Sequence, residues 1–269
     1  VEGADEVLEG DILNGEALYD VLAKCDGVIN LAGLLGTSEL LENIRNAVNA
    51  NILGALNIYG ACRAQNKPIV QISPGNASWL SIYPITKMCA EKLALALGAD
   101  AGLKVAVVRA MNVYGPYQKH APVRKYIPNL IRWAFRGEAA EIYGDGEQIM
   151  DPIWVGDTAE VLRRALEYAI DGGQPRVFEA GSGMVLTAND MADLVWNAVY
   201  LNGQMPKTHI AMRPGEPNHS ITVADPKSLR PLGIVPGYDF MLISEGLART
   251  VAWYRAHPDV LGLDGIVVS

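Results

Sequence analysis

Short, continuously apolar runs alternate with longer amphipathic ones through residues 1–180, and this alternation limits the possible folds most strongly. Runs such as GVINLAG and VAVVRA are typical of parallel strands that are buried on both faces. Strand and helix in alternation predict a doubly wound α/β fold with right-handed crossovers. The predicted strands are Glu6–Glu9, Gly27–Leu31, Pro68–Ser73, Lys104–Arg109 and Arg176–Ala180. The predicted helices are Asn14–Lys24, Leu40–Gln65, Tyr83–Gly98 and Gly156–Asp171.

The regular alternation stops twice, where proline, glycine and aromatic residues become frequent. It stops near Tyr117 and again after Gly181, and further helices are predicted at Asn189–Leu201 and Ser244–Ala256. We therefore expect one α/β domain made of residues 1–116 and 151–181. A smaller, interleaved α/β lobe would comprise residues 117–150 and 182–269.

Composition excludes several classes of protein. The apolar fraction of 50% and the charged fraction of 19% exclude a disordered chain. No apolar run approaches the roughly 20 residues that span a bilayer, and a net charge of −8 argues against nucleic-acid binding. Three scattered cysteines and four histidines without ligand spacing predict no metal site and no disulfide framework. Such cysteines favour a reducing compartment, so we expect a cytoplasmic protein without a membrane partner.

Tyr83 and Lys87 in SIYPITKMCAE form the first candidate for chemistry. Their i, i+4 spacing places both side chains on one face of a helix. A cation beside a phenol stabilises the phenolate, so Tyr83 could act as an acid or base below its ordinary pKa. The pair begins the helix that follows PIVQIS, at the carboxyl edge of the predicted sheet, where doubly wound folds bind ligands.

Three other polar or small residues occupy positions that suit a site. Gly33 follows a predicted strand, and its missing side chain would let the backbone approach a flat ligand, although ordinary strand-to-loop glycines are as common. Asn51 lies inside an apolar helix, where its amide needs a backbone or water partner. Asn112 and Tyr114, after another strand, could reach a ligand.

Taken in order, seven motifs resemble one family. They are GDIL, NLAG, Asn51 in NILGALNI, YPITK, RAMNVYGP, GDGEQIMDPIWVGD and RPGEP, and the resemblance that they carry spans residue 5 to about residue 255. Their order and spacing resemble the extended short-chain dehydrogenase/reductase superfamily, and more narrowly its NAD-dependent epimerase/dehydratase branch. The resemblance implies a Rossmann-type dinucleotide-binding domain in the larger unit and a substrate-binding role for the smaller lobe.

The resemblance also implies catalytic roles. Tyr83 would be the acid/base that moves a hydroxyl proton during hydride transfer. Lys87 would hold the cofactor ribose and lower the pKa of the phenol. Asn51 would support the active site through the helix backbone and a water molecule.

Binding roles follow from the same resemblance. On the cofactor, Asp11 and Ile12 would flank the adenine, and Val113 would lie on the nicotinamide side. Asn112 would contact the sugar nucleotide, and Arg213 would clamp its phosphates with a guanidinium fork. The dinucleotide path would be lined by Leu31, Ala32 and Gly33.

This sequence departs from the family pattern at several positions. Gly75 stands where the family has a catalytic Ser or Thr, so Ser73 and Ser78 are equal candidates to replace it, with Ser81 a further possibility. The same loop is shorter than the family norm. It also lacks the Asp–Glu pair that sugar-nucleotide dehydratases resemble one another in having, which lowers a dehydratase interpretation. Met150 replaces the family's usual arginine, which puts one phosphate contact in doubt.

A further departure is that the GxxGxxG fingerprint of the first strand and helix is absent. The chain begins with Val1 at a point that resembles the third strand of the fold. We expect the first two strands to be absent from this chain, which would leave inner strand edges unpaired.

The function expected from these residues is an NAD-dependent epimerase that acts on a nucleotide sugar, with NADP left open as the cofactor. Two alternatives are kept. One is a dehydrogenase or reductase of a non-sugar carbonyl, suggested by the Tyr-Pro start of YPITK and by Met150. The other is a non-catalytic family member, suggested by Gly75. Family resemblance also implies a homodimer, formed through the helices Leu40–Gln65 and Tyr83–Gly98.

Overall fold

Four parallel strands form the main sheet of the chain, in the order β1-β2-β3-β8. They are β1 (Val28–Asn30), β2 (Ile69–Pro74), β3 (Val105–Ala110) and β8 (Arg176–Ala180). The computed structural model describes residues 3–263, so Val1 lies outside the described residues. Strands β2 and β3 are paired on both sides and almost completely buried, as the continuous apolar runs predict.

Helices cover both faces of this sheet. On one face, α1 (Gly15–Leu22), α3 (Ala55–Ala64) and α4 (Ile82–Ala101) form a core with alternate strand residues that include Ile69 and Val105. On the other face, α6 (Val155–Ile170) packs against their neighbours Val70 and Ala106. Since successive strand side chains point to opposite faces, each strand contributes to both cores.

A third core lies among three further helices. Helices α5 (Tyr126–Arg136), α7 (Ala188–Tyr200) and α9 (Ile243–Ala256) pack together around Leu130, Met191 and Val251. Short strands complete this part of the chain and its junction with the main sheet. They are β4 (Asn112–Tyr114), β5 (Ala140–Tyr143), β6 (Ile149–Met150), β7 (Pro152–Trp154), β9 (Leu186–Thr187), β10 (Lys207–Ile210) and β11 (Ile221–Thr222). Single-turn or 3₁₀ segments lie at Pro226–Leu232, at α8 (Pro236–Asp239) and at Pro258–Leu261.

Four of the five predicted strands are confirmed, and the fifth prediction is wrong. Residues Glu6–Glu9 form no strand, and Val7 and Leu8 are exposed. The physical reason is that a strand needs a neighbour for its backbone hydrogen bonds, and β1 pairs only with β2 within residues 3–263. The free edge of β1 leaves Ile29 and Leu31 exposed.

The predicted helices are present, with one internal change of geometry. The segment predicted as Leu40–Gln65 consists of α2 (Ile44–Val48), a π-helical turn at Asn49–Gly54, and α3. A π-helical turn widens the helix locally and is common at functional sites. Asn51 lies in this turn.

Neither a membrane-spanning helix nor a metal-binding cluster is present in the described part of the chain. Within residues 3–263, no helix is both long and apolar enough to cross a bilayer. Over the same residues, no group of His, Cys, Asp and Glu side chains could hold a metal ion. Cys25, Cys62 and Cys89 are free thiols.

Candidate active site

A cavity of about 370 Å³ lies at the carboxyl end of the central strands. Its wall includes the ends of β2 and β3 and the first turn of α4, together with residues of β5 and β6. Five residues expected to form the site line it together: Ser73, Tyr83, Asn112, Val113 and Arg213. The topology therefore brings together side chains that are up to 140 positions apart in sequence (213 − 73).

Helix α4 supplies Tyr83 and Lys87 from adjacent turns. The helix begins at Ile82, so Pro84 falls in the first turn, where the missing N–H would have had no helical partner. Lys87 is only 3% exposed. Its Nζ donates a hydrogen bond to the carbonyl oxygen of Ala32 at 3.2 Å, at the end of β1.

The pKa values of this pair correct one expectation. Burial raises the pKa of Tyr83 to about 12, and this effect outweighs any stabilisation of the phenolate by Lys87. Burial also lowers the pKa of Lys87 to about 8. The reason is that the ammonium donates to Ala32 and not to the phenol, so desolvation decides both shifts. Near pH 7, Tyr83 is a neutral phenol and Lys87 is mostly charged.

Asn51 connects the end of β1 to α4. Its Oδ1 accepts from the Leu34 amide at 2.8 Å, and its Nδ2 donates to the Leu34 carbonyl at 2.9 Å and to Thr86 Oγ1 at 2.9 Å. A Cβ placed on Gly33 would lie 2.5 Å from Asn51 Oδ1 and 3.3 Å from Lys87 Nζ. The close approach that requires glycine at position 33 is therefore an approach to these two side chains.

In the loop before α4, the packing around Gly75 leaves no room for a side chain. A Cβ on Gly75 would lie 2.5 Å from Met111 Sδ and 3.0 Å from Met111 Cα. Ser73 is buried at the cavity wall, and its hydroxyl lies 3.7 Å from Met88 Sδ. Ser78 is exposed and does not line the cavity, so of the two candidate serines the fold brings only Ser73 to Tyr83.

Apart from Val113, the predicted cofactor-contacting residues lie outside the cavity, around the π-helical turn. Ile12 packs on Gly54, where a Cβ would lie 2.4 Å from the Ile12 Cδ1 atom. The Asp11 side chain is exposed and accepts a hydrogen bond from the Leu13 amide. Since Gly54 is one turn from Asn51, segments 11–12 and 31–34 adjoin the same turn, and Leu31 is 60% exposed beside them.

On the substrate side, two predicted residues are already partly engaged. Asn112 Oδ1 accepts from the backbone amide of Asp151 at 3.2 Å, which leaves its Nδ2 without a protein partner among residues 3–263. The Arg213 Nε donates to Glu216 Oε2 at 2.6 Å. The carboxylate of Asp151 is buried and accepts from Ser182, Gly183 and Ala224, which ties the loops beside the cavity together.

Several cavity residues were not predicted from sequence. Tyr143 has the guanidinium carbons of Arg124 and Arg213 at 4.7 and 5.6 Å from its ring centroid. Lys125 also lines the cavity, where burial and the nearby Arg213 charge lower its pKa. The basic pair in the loop before α5 was a visible signal for Arg124 and Lys125. Thr86, which lies outside the cavity as a hydrogen-bond partner of Asn51, had a weaker signal as a polar residue inside YPITK.

A family model matches residues 2–181, and its description is NAD dependent epimerase/dehydratase family. Among curated proteins, the dTDP-glucose 4,6-dehydratase of Mycobacterium tuberculosis is 28% identical over 280 residues, covering 95% of this chain and 80% of that protein. The UDP-N-acetyl-alpha-D-glucosaminuronate decarboxylase of Bacillus cytotoxicus is 23% identical, over 91% of this chain and 81% of that protein.

Solved structures with a similar fold agree with the sequence matches. The UDP-N-acetylglucosamine 4-epimerase from Methanobrevibacter ruminantium M1, in complex with UDP-N-acetylmuramic acid, has a TM-score of 0.83 and 25% identity. The match covers 93% of this chain and 83% of that one. MoeE5 in complex with UDP-glucose and NAD has a TM-score of 0.80 and 29% identity, over 93% and 86% of the two chains. The expected Rossmann-type α/β fold and the expected resemblance are confirmed.

Proposed function

The chain belongs to the NAD-dependent epimerase/dehydratase family, and from that premise we propose that it epimerises a nucleotide sugar, with Tyr83 as acid/base and Lys87 as its partner. One observation carries this proposal. A single cavity gathers the phenol of Tyr83 with Asn112 and Arg213, and Lys87 lies one helical turn beyond Tyr83. A proton-transfer group thus shares its cavity with two groups suited to an anionic nucleotide.

Tyr83 would move the proton. Its phenol would first release its proton to solvent, and the phenolate would then accept the proton of a sugar hydroxyl and return it when the hydroxyl re-forms. The Lys87 ammonium would favour the phenolate electrostatically, because charges interact strongly in a buried site. Of the candidate serines, Ser73 lines the same cavity, and we propose it as the hydroxyl that contacts the reacting oxygen.

The residues at the end of β1 fit a dinucleotide cofactor. Lys87 has three N–H donors and uses one on Ala32, so two are available to ribose hydroxyls. Leu31 is exposed, and Gly33 presents backbone without a side chain beside Lys87. Asp11 and Ile12 would contact the adenine end, and Val113 the nicotinamide end. Bound NAD would supply the acceptor and donor of hydride.

Charge in the cavity supports a nucleotide-sugar substrate. Arg213, Arg124 and Lys125 are three cations at the cavity wall, against the carboxylates Glu141 and Glu216. Arg213 would release Glu216 in part to hold phosphate, and Asn112 Nδ2 would donate to the sugar nucleotide. Met150 contributes no charge at the position where the family usually has arginine.

Turnover by the full chain tests the proposal. The protein, supplied with NAD, is incubated with UDP-glucose, UDP-N-acetylglucosamine and dTDP-glucose, and the products are identified by NMR. We expect an epimer from at least one substrate, and a loss of about 10²–10⁴-fold in rate for Tyr83→Phe. Tyr238→Phe is the matched control, because Tyr238 is 90% exposed and does not line the cavity.

The products separate this proposal from its neighbours. A 4-keto-6-deoxy sugar would identify a dehydratase, and no product together with unchanged binding in Tyr83→Phe would favour a non-catalytic member. A second candidate is a reductase of a non-sugar carbonyl, which the apolar side chains of Ile72, Met111 and Met150 at the cavity wall favour. Net oxidation of NADH or NADPH by a free carbonyl compound would support that alternative.

We also propose a homodimer through the helices around Asn51 and Tyr83. Several apolar side chains of these helices face the core of the same chain, since Ile58 is buried and Leu56, Leu93 and Leu95 pack against it. Other apolar side chains on these helices are exposed instead: Ile44 at 48%, Leu53 at 46% and Ile85 at 50%. Light scattering on wild type and Leu53→Glu tests the pairing, and a monomeric wild type would contradict it.

A further inference from the structure

A polar side chain occupies the centre of the main sheet. Gln71 lies in β2 between Val70 and Ile72, it is completely buried, and its strand is paired on both sides. A buried amide destabilises the fold unless it is hydrogen-bonded. The neighbouring strand residues Val70 and Ile72 are apolar, so Gln71 is an exception within β2.

Three hydrogen bonds fix the orientation of the Gln71 amide. Its Nε2 donates to the Ile72 carbonyl at 2.7 Å, and a carbonyl can only accept. Its Oε1 consequently faces the other way, where it accepts from Tyr59 Oη at 2.7 Å and from Asn30 Nδ2 at 2.8 Å. Both partners are buried.

The orientation of Gln71 is passed on to the end of β1. Because Asn30 uses Nδ2 on Gln71, its Oδ1 faces the next turn of backbone and accepts from the Ala32 amide at 3.1 Å. The carbonyl oxygen of Ala32 accepts a hydrogen bond from Lys87 Nζ at 3.2 Å. If the Asn30 amide were flipped, its Oδ1 would face the Gln71 Oε1 acceptor and its Nδ2 would face the Ala32 N–H donor. Only the observed orientation therefore satisfies every group.

We propose that Gln71 is a positioning residue, which acts through Asn30 and the Ala32 backbone to hold the acceptor of the Lys87 ammonium. Gln71 touches neither the cavity nor Lys87 itself. Its importance for turnover rests on the proposed function of Lys87, whereas the hydrogen-bond relay can be tested without any substrate.

The test compares three variants of the full chain with wild type. Gln71→Met keeps the length of the side chain and removes the amide. Tyr59→Phe removes the bond to Gln71 at 2.7 Å, together with the longer contact of the same hydroxyl with the Ala90 carbonyl at 3.2 Å. Val70→Ala is the control, because Val70 is the adjacent strand residue and packs on the opposite face of the sheet. Two readouts are used: amide hydrogen exchange at Ala32 relative to Val107 in β3, and the pKa of Lys87 from the NMR shift of its ε-carbon.

We expect Gln71→Met to speed exchange at Ala32 by about tenfold, which corresponds to loss of one ordinary hydrogen bond. We also expect the Lys87 pKa to fall by roughly half a unit, because a poorly held carbonyl stabilises the ammonium less. Tyr59→Phe should shift both readouts in the same direction by less. Val70→Ala should lower the melting temperature and leave both readouts at their wild-type values.

Unchanged Ala32 exchange and Lys87 pKa in Gln71→Met would overturn the proposal, as would equal changes in Val70→Ala. If Gln71→Met does not fold, Tyr59→Phe decides: a shift supports the relay, and wild-type values for both readouts overturn it. Failure to find any sugar-nucleotide turnover would count against the proposed function alone, since neither readout involves substrate or cofactor.

Discussion

The Asn51 side chain pairs with both backbone groups of Leu34, accepting from the amide at 2.8 Å and donating to the carbonyl at 2.9 Å. A side-chain amide with this pairing imitates the backbone of a neighbouring strand. Segment 31–34 follows β1 and has no further strand partner there among the described residues. Asn51 therefore holds the backbone beside Lys87 in place of a sheet ladder.

Gly33→Ala should break this arrangement. The added Cβ would meet Asn51 Oδ1 at 2.5 Å and Lys87 Nζ at 3.3 Å, so Asn51 must release Leu34 or the segment must move. We expect about 1–3 kcal/mol lower stability in urea denaturation, and weaker NAD binding by calorimetry. Gly60→Ala is the control, because nothing lies within 4 Å of a Cβ at that helical position. Equal stability and equal NAD affinity in the two variants would contradict the role of Asn51 in holding segment 31–34.

The sequence predicts those parts of the fold that depend on local residue patterns, and it fails where an element depends on a distant partner. The strands from Val28 to Ala180 were predicted because burial on both faces requires continuous apolar residues, which are visible locally. The segment Glu6–Glu9 was predicted wrongly because pairing depends on a neighbouring strand, and no local pattern shows whether that neighbour is there.

We expect activity to fall in alkaline solution, because the Lys87 ammonium loses its proton there. The pKa of Lys87 is lowered from 10.5 to about 8, so the charge that favours the Tyr83 phenolate is present below about pH 8 and lost above it. We expect the rate of epimerisation to decline above about pH 8 in a pH–rate profile. A rate that is constant from pH 7 to 10 would contradict a role for the charge.

The same lowered pKa predicts that Lys87→Met is more stable than wild type. Below pH 8 the folded protein carries the full penalty of a buried ammonium, and this penalty disappears as pH rises from about 8 to 10.5, because only the unfolded chain still binds the proton. Loss of the bond to Ala32 offsets part of the gain. We expect Lys87→Met to gain about 1–2 kcal/mol in urea denaturation at pH 7 and to lose activity. At pH 10.5 the gain should be absent.

Gly75→Ser should not restore the family's hydroxyl. Its Cβ would lie 2.5 Å from Met111 Sδ, and because Met111 Cα is also only 3.0 Å away, rotation of the methionine side chain cannot relieve the whole overlap. We expect a loss of about 1–3 kcal/mol in thermal unfolding. Gly75→Ser combined with Met111→Ala should recover part of it. Full stability in the single variant would show that the loop relaxes freely.

Site residues were predictable only where a local motif marked them. Tyr83 and Lys87 were proposed from their helical spacing, and Arg213 from the resemblance of RPGEP to the family's motif. Ser73 and Ser78 were equal in sequence, and burial alone separates them. The raised pKa of Tyr83 and the place of Met111 beside Gly75 depend on packing between distant segments, which spacing along the chain does not contain.

The ion pair between Glu91 and Arg109 links α4 to the sheet two turns beyond Tyr83. Glu91 is 2% exposed and accepts from Arg109 Nη2 at 2.6 Å and from Nε at 3.0 Å, while Glu179 lies 3.3 Å from Nη1. Removing one partner of a buried pair leaves the other charge uncompensated. We expect Glu91→Gln to lower the free energy of unfolding by about 2–4 kcal/mol in urea denaturation. Glu179→Gln should lower it by less than about 1 kcal/mol, because Arg109 still pairs with Glu91 in that variant.

A double variant distinguishes charge from packing at this pair. Glu91→Met with Arg109→Met removes both charges and keeps side chains of similar length, so it should recover most of the loss that Glu91→Gln causes. If the double variant is as unstable as the single one, the contribution of Glu91 is packing and not compensation of the Arg109 charge. Because Tyr83 and Lys87 lie on the same helix, a loosened α4 should also reduce turnover in Glu91→Gln, and the double variant should restore it.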